Sequence, residues 1–175
     1  HNLKVGGSNP SPATRLMNKI QYSYNFLLHK IIKYFVDLIV YKKTFIYNFF
    51  IKNLSLGNFC FSYYAVKLNN VDFKDTTFRF ACGGAYGNYL NSFIKKYKKE
   101  FFFLDIGANI GIFSLIAKNN KNCKKIIAIE PSRLIYKKLK KNLHTNNCAL
   151  FNVAITNFNG FAELSINKNH SQAAH

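Results

Sequence analysis

Two carboxylic acids stand at matching places in this chain. Asp105 closes the apolar run FFFL, and Glu130 closes KIIAI. A carboxylate beside a buried run is costly unless something uses it. Asp105 opens the loop D-I-G-A-N-I-G, in which Gly107 and Gly111 lie four residues apart, and Glu130 opens the turn E-P-S. If the two runs are neighbouring parallel strands, both acids fall on the carboxyl edge, where open α/β sheets bind ligands. Glycine at 107 and 111 lets the backbone turn tightly and lets a ligand approach the following helix, and Asn109 is a residue that tolerates a left-handed turn. The acid after the second strand can accept both hydroxyls of a ribose, while the acid after the first favours positive charge. A sulfonium or ammonium group joined to a ribose diol uses all of these features. A pyrophosphate does not suit Asp105, and the G-x-G-x-x-G motif of dinucleotide sites is absent. The ligand read from these residues is S-adenosylmethionine.

The surrounding elements must supply that edge. Residues 101–104 form a continuous apolar run, expected of a strand covered on both faces of a parallel sheet. IGIFSLIAKNN, from Ile110, reads as a helix, and KIIAIEP (125–131) as a second buried strand. SRLIYKKLKKNLHTNN reads as a helix capped by Ser132, with Ile135, Leu139 and Leu143 on one face and lysines outward. ALFNVAI (149–155) is a third strand. Strand, helix, strand, helix, strand with right-handed crossovers is half of a doubly wound α/β sheet.

Upstream, apolar and aromatic residues recur among lysines from Leu16 to Leu54. Ile31, Phe35, Leu38 and Ile39 are expected to share a helix face that docks on the chain's own domain; peripheral contact of this basic helix with a membrane is the alternative. FCFSYYAVKL, then NN, then VDFKDTTFRF reads as a hairpin or strand pair. CGGAY reads as a turn, and GNYLNSFIKKYKK as a helix that Asn88 can cap. Residues 1–16 are expected to be disordered, with Gly6, Gly7, Pro10 and Pro12. VGGSNPSPATR resembles the conceptual translation of the end of a transfer-RNA gene, which makes read-through sequence the expectation before Met17. The expected organisation is this segment, a helical region with a first strand over residues 17–70, and a ligand-binding domain over residues 71–175.

Lys and Arg number 25 against 7 Asp and Glu, a net charge of +18 among 175 residues. Abundant Lys, Asn, Ile, Phe and Tyr, with no Trp and little Pro or Met, is the signature of AT-rich coding, which accounts for the charge. A dedicated nucleic-acid binder is expected to cluster Arg, and this chain does not. Cys60, Cys82, Cys123 and Cys148 form no C-x-x-C pair, so no metal site is expected, and they read as thiols of a reducing, cytoplasmic compartment. The segment FLLHKIIKYFVDLIV is too short and too charged to span a bilayer.

DIGANIGIFS, IIAIEPS, a helix ending in NN, and NVAITNFNGFAELSI occur in that order and resemble the FkbM-type family of S-adenosylmethionine-dependent methyltransferases, over residues 71–168. The resemblance implies a class I methyltransferase (Rossmann-like) fold, incomplete here and preceded by the helical and hairpin region. It implies that Asp105, Gly107, Asn109 and Gly111 form the cofactor loop and that Glu130 holds the ribose. It also implies O-methyl transfer to a hydroxyl of a sugar or other small molecule. Two features depart from the family pattern. Gly87 or Asn88 stands where a glutamate is usual, and the fourth strand, with its K-I-D-x-E-G ending, is missing, so this chain is expected to be inactive alone. No catalytic base emerges: His29 and His144 read as packing or surface residues, and His170 and His175 as part of an unstructured tail. A non-catalytic remnant and an RNA-binding protein or RNA methyltransferase are the other readings of the same residues.

Overall fold

The computed structural model describes residues 11–37, 43–161, 163–164, 166–167 and 170–174. The first helix, α1 (Pro12–Asp37), begins inside the segment expected to be disordered. The Ser11 hydroxyl accepts from the Thr14 N–H at 3.1 Å, and Pro12 follows it with a backbone angle already suited to a first helical turn. Ser-Pro is therefore a start signal here, and residues 12–16 are helical. The Leu38 and Ile39 of the expected face lie outside the described residues. Within the rest of α1 the docked face is a different one. Asn25, His29 and Ile32 are buried, whereas Ile31 and Phe35 are exposed.

The second helix, α2 (Lys43–Leu54), packs on α1 and buries Tyr47 and Ile51 completely. The hairpin is shorter and earlier than expected. Strand β1 (Phe59–Phe61) pairs antiparallel with β2 (Lys67–Asn69), and the chain reverses through residues 62–66, where Ala65 has φ 61°. VDFKDTTFRF, expected as the second strand, forms helix α3 (Thr76–Gly83) instead. Asp75 caps it by accepting from the Thr77 N–H at 2.9 Å, and Phe73 meets Phe78 edge to face at 5.2 Å. An aspartate cap with an aromatic clamp across the first turn outweighs the strand preference of two threonines. Helix α4 (Asn88–Lys96) follows, capped by Gly87 rather than by the side chain of Asn88.

Strand β3 (Phe101–Ile106), helix α5 (Ile112–Lys118), strand β4 (Cys123–Ile129), helix α6 (Arg133–Asn142) and strand β5 (Cys148–Phe151) then build a parallel sheet in the order β3-β4-β5. This is the strand-helix alternation expected of a Rossmann-like half-sheet. Both crossovers step in the same direction, so right-handed connections bring α5 and α6 to the same face. The other face is bare among the described residues. Phe102, Leu104 and Ile106 of β3 are exposed, while Phe101, Phe103 and Asp105 point to the helix side and are half-buried. The expectation of a strand covered on both faces is thereby corrected. A fully apolar strand sequence records what both faces prefer, and helices cover only one of them here.

Beyond β5 the chain leaves the sheet at Asn152, earlier than the expected end at Ile155. A short antiparallel pair, β6 (Ile166–Asn167) with β7 (His170–Ala174), closes the described chain. His170 thus belongs to a strand and not to an unstructured tail, and His175 lies outside the described residues.

Candidate functional site at the carboxyl edge of the sheet

The register of β3 and β4 pairs Asp105 with Ala128 and Ile106 with Ile129, so Glu130 follows directly at the same edge. The loop after β3 is tied to the neighbouring strand through its backbone. The N–H groups of Gly107 and Ala108 both donate to the Ile129 carbonyl at 2.9 Å, using its two lone pairs. Asn109 takes φ 51° and is buried, and its side-chain oxygen accepts from the Ile110 N–H at 2.7 Å. Asn109 thus adopts the left-handed conformation that asparagine tolerates, held by its own amide.

Glu130 is the staple of this edge. Its Oε2 accepts from the Asn109 N–H and its Oε1 from the Ser132 N–H, each at 2.9 Å, and the residue is only 6% exposed. One carboxylate thus joins the loop after β3 to the start of α6, where Ser132 also caps the helix through its hydroxyl. Burial pushes the Glu130 carboxyl above its ordinary value; the two N–H donors oppose this, and the nearby Asp105 charge adds to it. Asp105, Asn109 and Glu130 are in this way brought together, as their positions in the sequence suggested.

Asp105 has a partner that sequence reading missed. The Ser114 hydroxyl, fully buried in the first turn of α5, donates to Asp105 Oδ2 at 2.5 Å. Burial raises the Asp105 carboxyl, and hydrogen bonds from the Ser114 side chain and backbone partly offset it. A carboxylate at the positive end of a helix is also favoured by the helix dipole. The signal for Ser114 was there to be found: it is a lone hydroxyl within the apolar helix IFSLIAK.

The two loop glycines have different tasks. A side chain placed on Gly107, at φ 74°, would meet nothing within 4 Å, so the space above it is open to a ligand. Gly111, at φ 87°, faces Leu139 Cδ1 at 2.7 Å and Leu143 Cδ1 at 3.0 Å from where a Cβ would stand. The missing side chain of Gly111 makes room for helix α6. Asn142 completes that junction by donating to the Ile110 carbonyl at 2.7 Å.

Asn152, just past β5, is a second residue whose role only the structure reveals. Its amide donates to the carbonyls of Glu130 at 2.8 Å and Pro131 at 2.9 Å, which fixes the E-P-S turn. A cavity of about 440 Å³ opens beside this turn, bordered by Pro131, Asn152 and residues from the segment 153–164. His29 serves elsewhere. The Tyr47 hydroxyl donates to the Phe61 carbonyl at 2.8 Å, so the 2.6 Å contact from His29 Nδ1 must carry the imidazole proton to the tyrosine oxygen. That buried chain joins α1, α2 and the hairpin, as a packing role requires. Among the described residues no His, Cys, Asp and Glu cluster could hold a metal ion, and the four cysteines are free.

A parallel three-stranded sheet with two acids at its carboxyl edge defines a mixed α/β chain with a Rossmann-like half-sheet. The chain belongs to the family described as Vibrio cholerae RfbT protein, whose model matches residues 20–169. A curated protein, methyltransferase sdnD of Sordaria araneosa, is 46% identical over 46 residues, which cover 26% of this chain and 18% of that protein. The chain therefore spans less than a fifth of the length of the curated relative it matches.

Proposed function

We propose that this chain carries the cofactor site of an S-adenosylmethionine-dependent methyltransferase of the FkbM type, directed at a hydroxyl group of a sugar or other small molecule. The observation that carries this reading is the open approach above Gly107, flanked by the carboxylates of Asp105 and Glu130. The short match to a curated methyltransferase supports it as well. The cofactor supplies a methyl group activated on a positively charged sulfur. Asp105, anchored by Ser114, offers the negative field that such a charge prefers. Each oxygen of Glu130 accepts one backbone N–H and retains a second lone pair, which a ribose hydroxyl can use.

Methyl transfer also requires the acceptor to be held in line and relieved of its proton. Neither His29, committed to Tyr47, nor His144, beyond the end of α6, is assigned that role. Calorimetric titration of S-adenosylmethionine into the full chain tests the reading, with Asp105→Ala and Gly107→Val as controls. Binding by the parent chain and its loss in either variant is the expected result. A folded parent chain that takes up no S-adenosylmethionine would falsify it.

A further inference from the structure

Helix α1 is about 39 Å long at 1.5 Å per residue and has two apolar faces, of which the domain uses one. The used face is locked by polar contacts as well as by burial. Asn25 donates to the carbonyls of Leu56 at 2.8 Å and Phe59 at 3.2 Å and accepts from the Leu56 N–H at 2.9 Å. His29 meets Tyr47, and Ile32 enters the core. The rotation of α1 about its axis is therefore set.

That rotation leaves Met17, Ile20, Tyr24, Leu27, Ile31 and Tyr34 facing outward, each between 42% and 66% exposed. They recur at alternating intervals of three and four, which places them along one side of the helix. No charged residue interrupts the stripe. Lys19 and Lys30, about three turns apart, flank it on the side away from the buried face, and both are exposed.

The same spacing would suit a coiled coil, but the flanking positions do not. In heptad terms the residues beside the seam are Gln21, Ser23, Leu28, Lys30 and Phe35. A parallel pairing would set Ser23 against Leu28 and Lys30 against Phe35, so no opposite charges select a parallel partner. Leu28 is in addition already packed against the chain's own core. Two copies of a chain with net charge +18 also repel each other. An anionic lipid surface meets every one of these features. It accepts an apolar stripe edged with tyrosines, it attracts the flanking lysines, and it turns the net charge from repulsion into attraction. No helix among the described residues is long and apolar enough to cross a membrane, so α1 would lie along the surface.

We infer that α1 seats this protein on an anionic lipid surface, with the stripe from Met17 to Tyr34 at the boundary between headgroups and acyl chains and Lys19 and Lys30 among the headgroups. This inference stands independently of the ligand assigned to the sheet edge. The test is co-sedimentation of the full chain with vesicles of phosphatidylcholine alone and of phosphatidylcholine mixed with phosphatidylglycerol. Binding to the mixed vesicles that weakens as salt is added is expected. The double variant Leu27→Glu/Ile31→Glu should lower partitioning by at least about tenfold, with circular dichroism and urea midpoint unchanged because both side chains are exposed. Lys19→Glu/Lys30→Glu should reduce the preference for anionic vesicles while leaving the stripe intact. Binding that survives Leu27→Glu/Ile31→Glu would overturn the inference in favour of the lysines elsewhere on the surface. A folded chain that ignores vesicles but forms a dimer sensitive to the same substitutions would overturn it in favour of a second copy.

Discussion

A Cβ on Gly111 would stand 2.7 Å from Cδ1 of Leu139, so the absence of a side chain at the start of α5 is what lets α6 cross it. Gly107, four residues earlier, has the same left-handed backbone and open space around it. The pair separates two reasons for glycine that look alike in sequence.

Alanine at the two positions should accordingly act differently. Gly107→Ala carries only the left-handed penalty, about 1–2 kcal/mol. Gly111→Ala adds the clash with Leu139 and Leu143, and about 2–4 kcal/mol in total is expected. Urea unfolding of the two variants measures the difference. Equal losses would remove the assignment of Gly111 to helix packing.

The two acids should also respond differently to neutralisation. Burial leads the causes that raise Asp105. A carboxyl whose folded value lies above its unfolded value contributes stability below the unfolded value and loses it as pH rises through the folded one. Asp105→Asn, which can still accept from Ser114, should therefore be at least as stable as the parent at neutral pH. That advantage should vanish below about pH 4, where the parent carboxyl is protonated in both states. Thermal unfolding followed from acid to neutral pH provides the check, and a variant less stable than the parent at pH 7 would contradict the argument.

Glu130 accepts from two backbone N–H groups with its two oxygens. Glutamine presents one acceptor and one donor to the same pair, so one buried N–H faces another N–H. Although the Glu130 carboxyl is also raised, the orphaned donor should dominate, and Glu130→Gln is expected to cost about 1–3 kcal/mol. Chemical denaturation at neutral pH measures it. A neutral or stabilising effect would mean that the staple contributes nothing.

Asn152→Ala removes both donors to the E-P-S turn. A loss of about 1–3 kcal/mol is expected, with faster amide exchange at Ser132 and Asn109 because the turn positions Glu130. Hydrogen exchange read residue by residue distinguishes this from a general loss of stability, which would raise exchange in the distant α1–hairpin region equally.

Tyr47→Phe deletes the hydroxyl between His29 and the Phe61 carbonyl and leaves both buried groups without that partner. The expected cost is about 1–3 kcal/mol, located in the helical region and without effect on ligand binding at the sheet edge. Urea unfolding and calorimetry on the same variant supply both readouts. Weakened binding would tie the two regions together.

The chain's own letters determined the order of the half-sheet. Two apolar runs that end in Asp105 and Glu130, each followed by a turn and an amphipathic helix, are patterns of period and punctuation that neighbours along the chain establish. The left-handed Asn109 and the Ser132 cap were legible for the same reason, since their bonds reach only a few residues. The helix at VDFKDTTFRF rests on a local aspartate cap too, although the segment's β-branched and aromatic residues read as a strand. Other facts were decided only by tertiary structure, because they depend on residues far apart in sequence arriving at one place. Phe102 and Leu104 read as buried until the direction of both crossovers left their face bare. The packing reason for glycine at 111 came from Leu139, which occupies the space where a side chain would stand. The exposed stripe of α1 followed from Asn25 and His29, whose bonds to Leu56, Phe59 and Tyr47 fix which way the helix turns. Hydrophobic periodicity tells which residues share a face, but the contact that covers a face belongs to the fold.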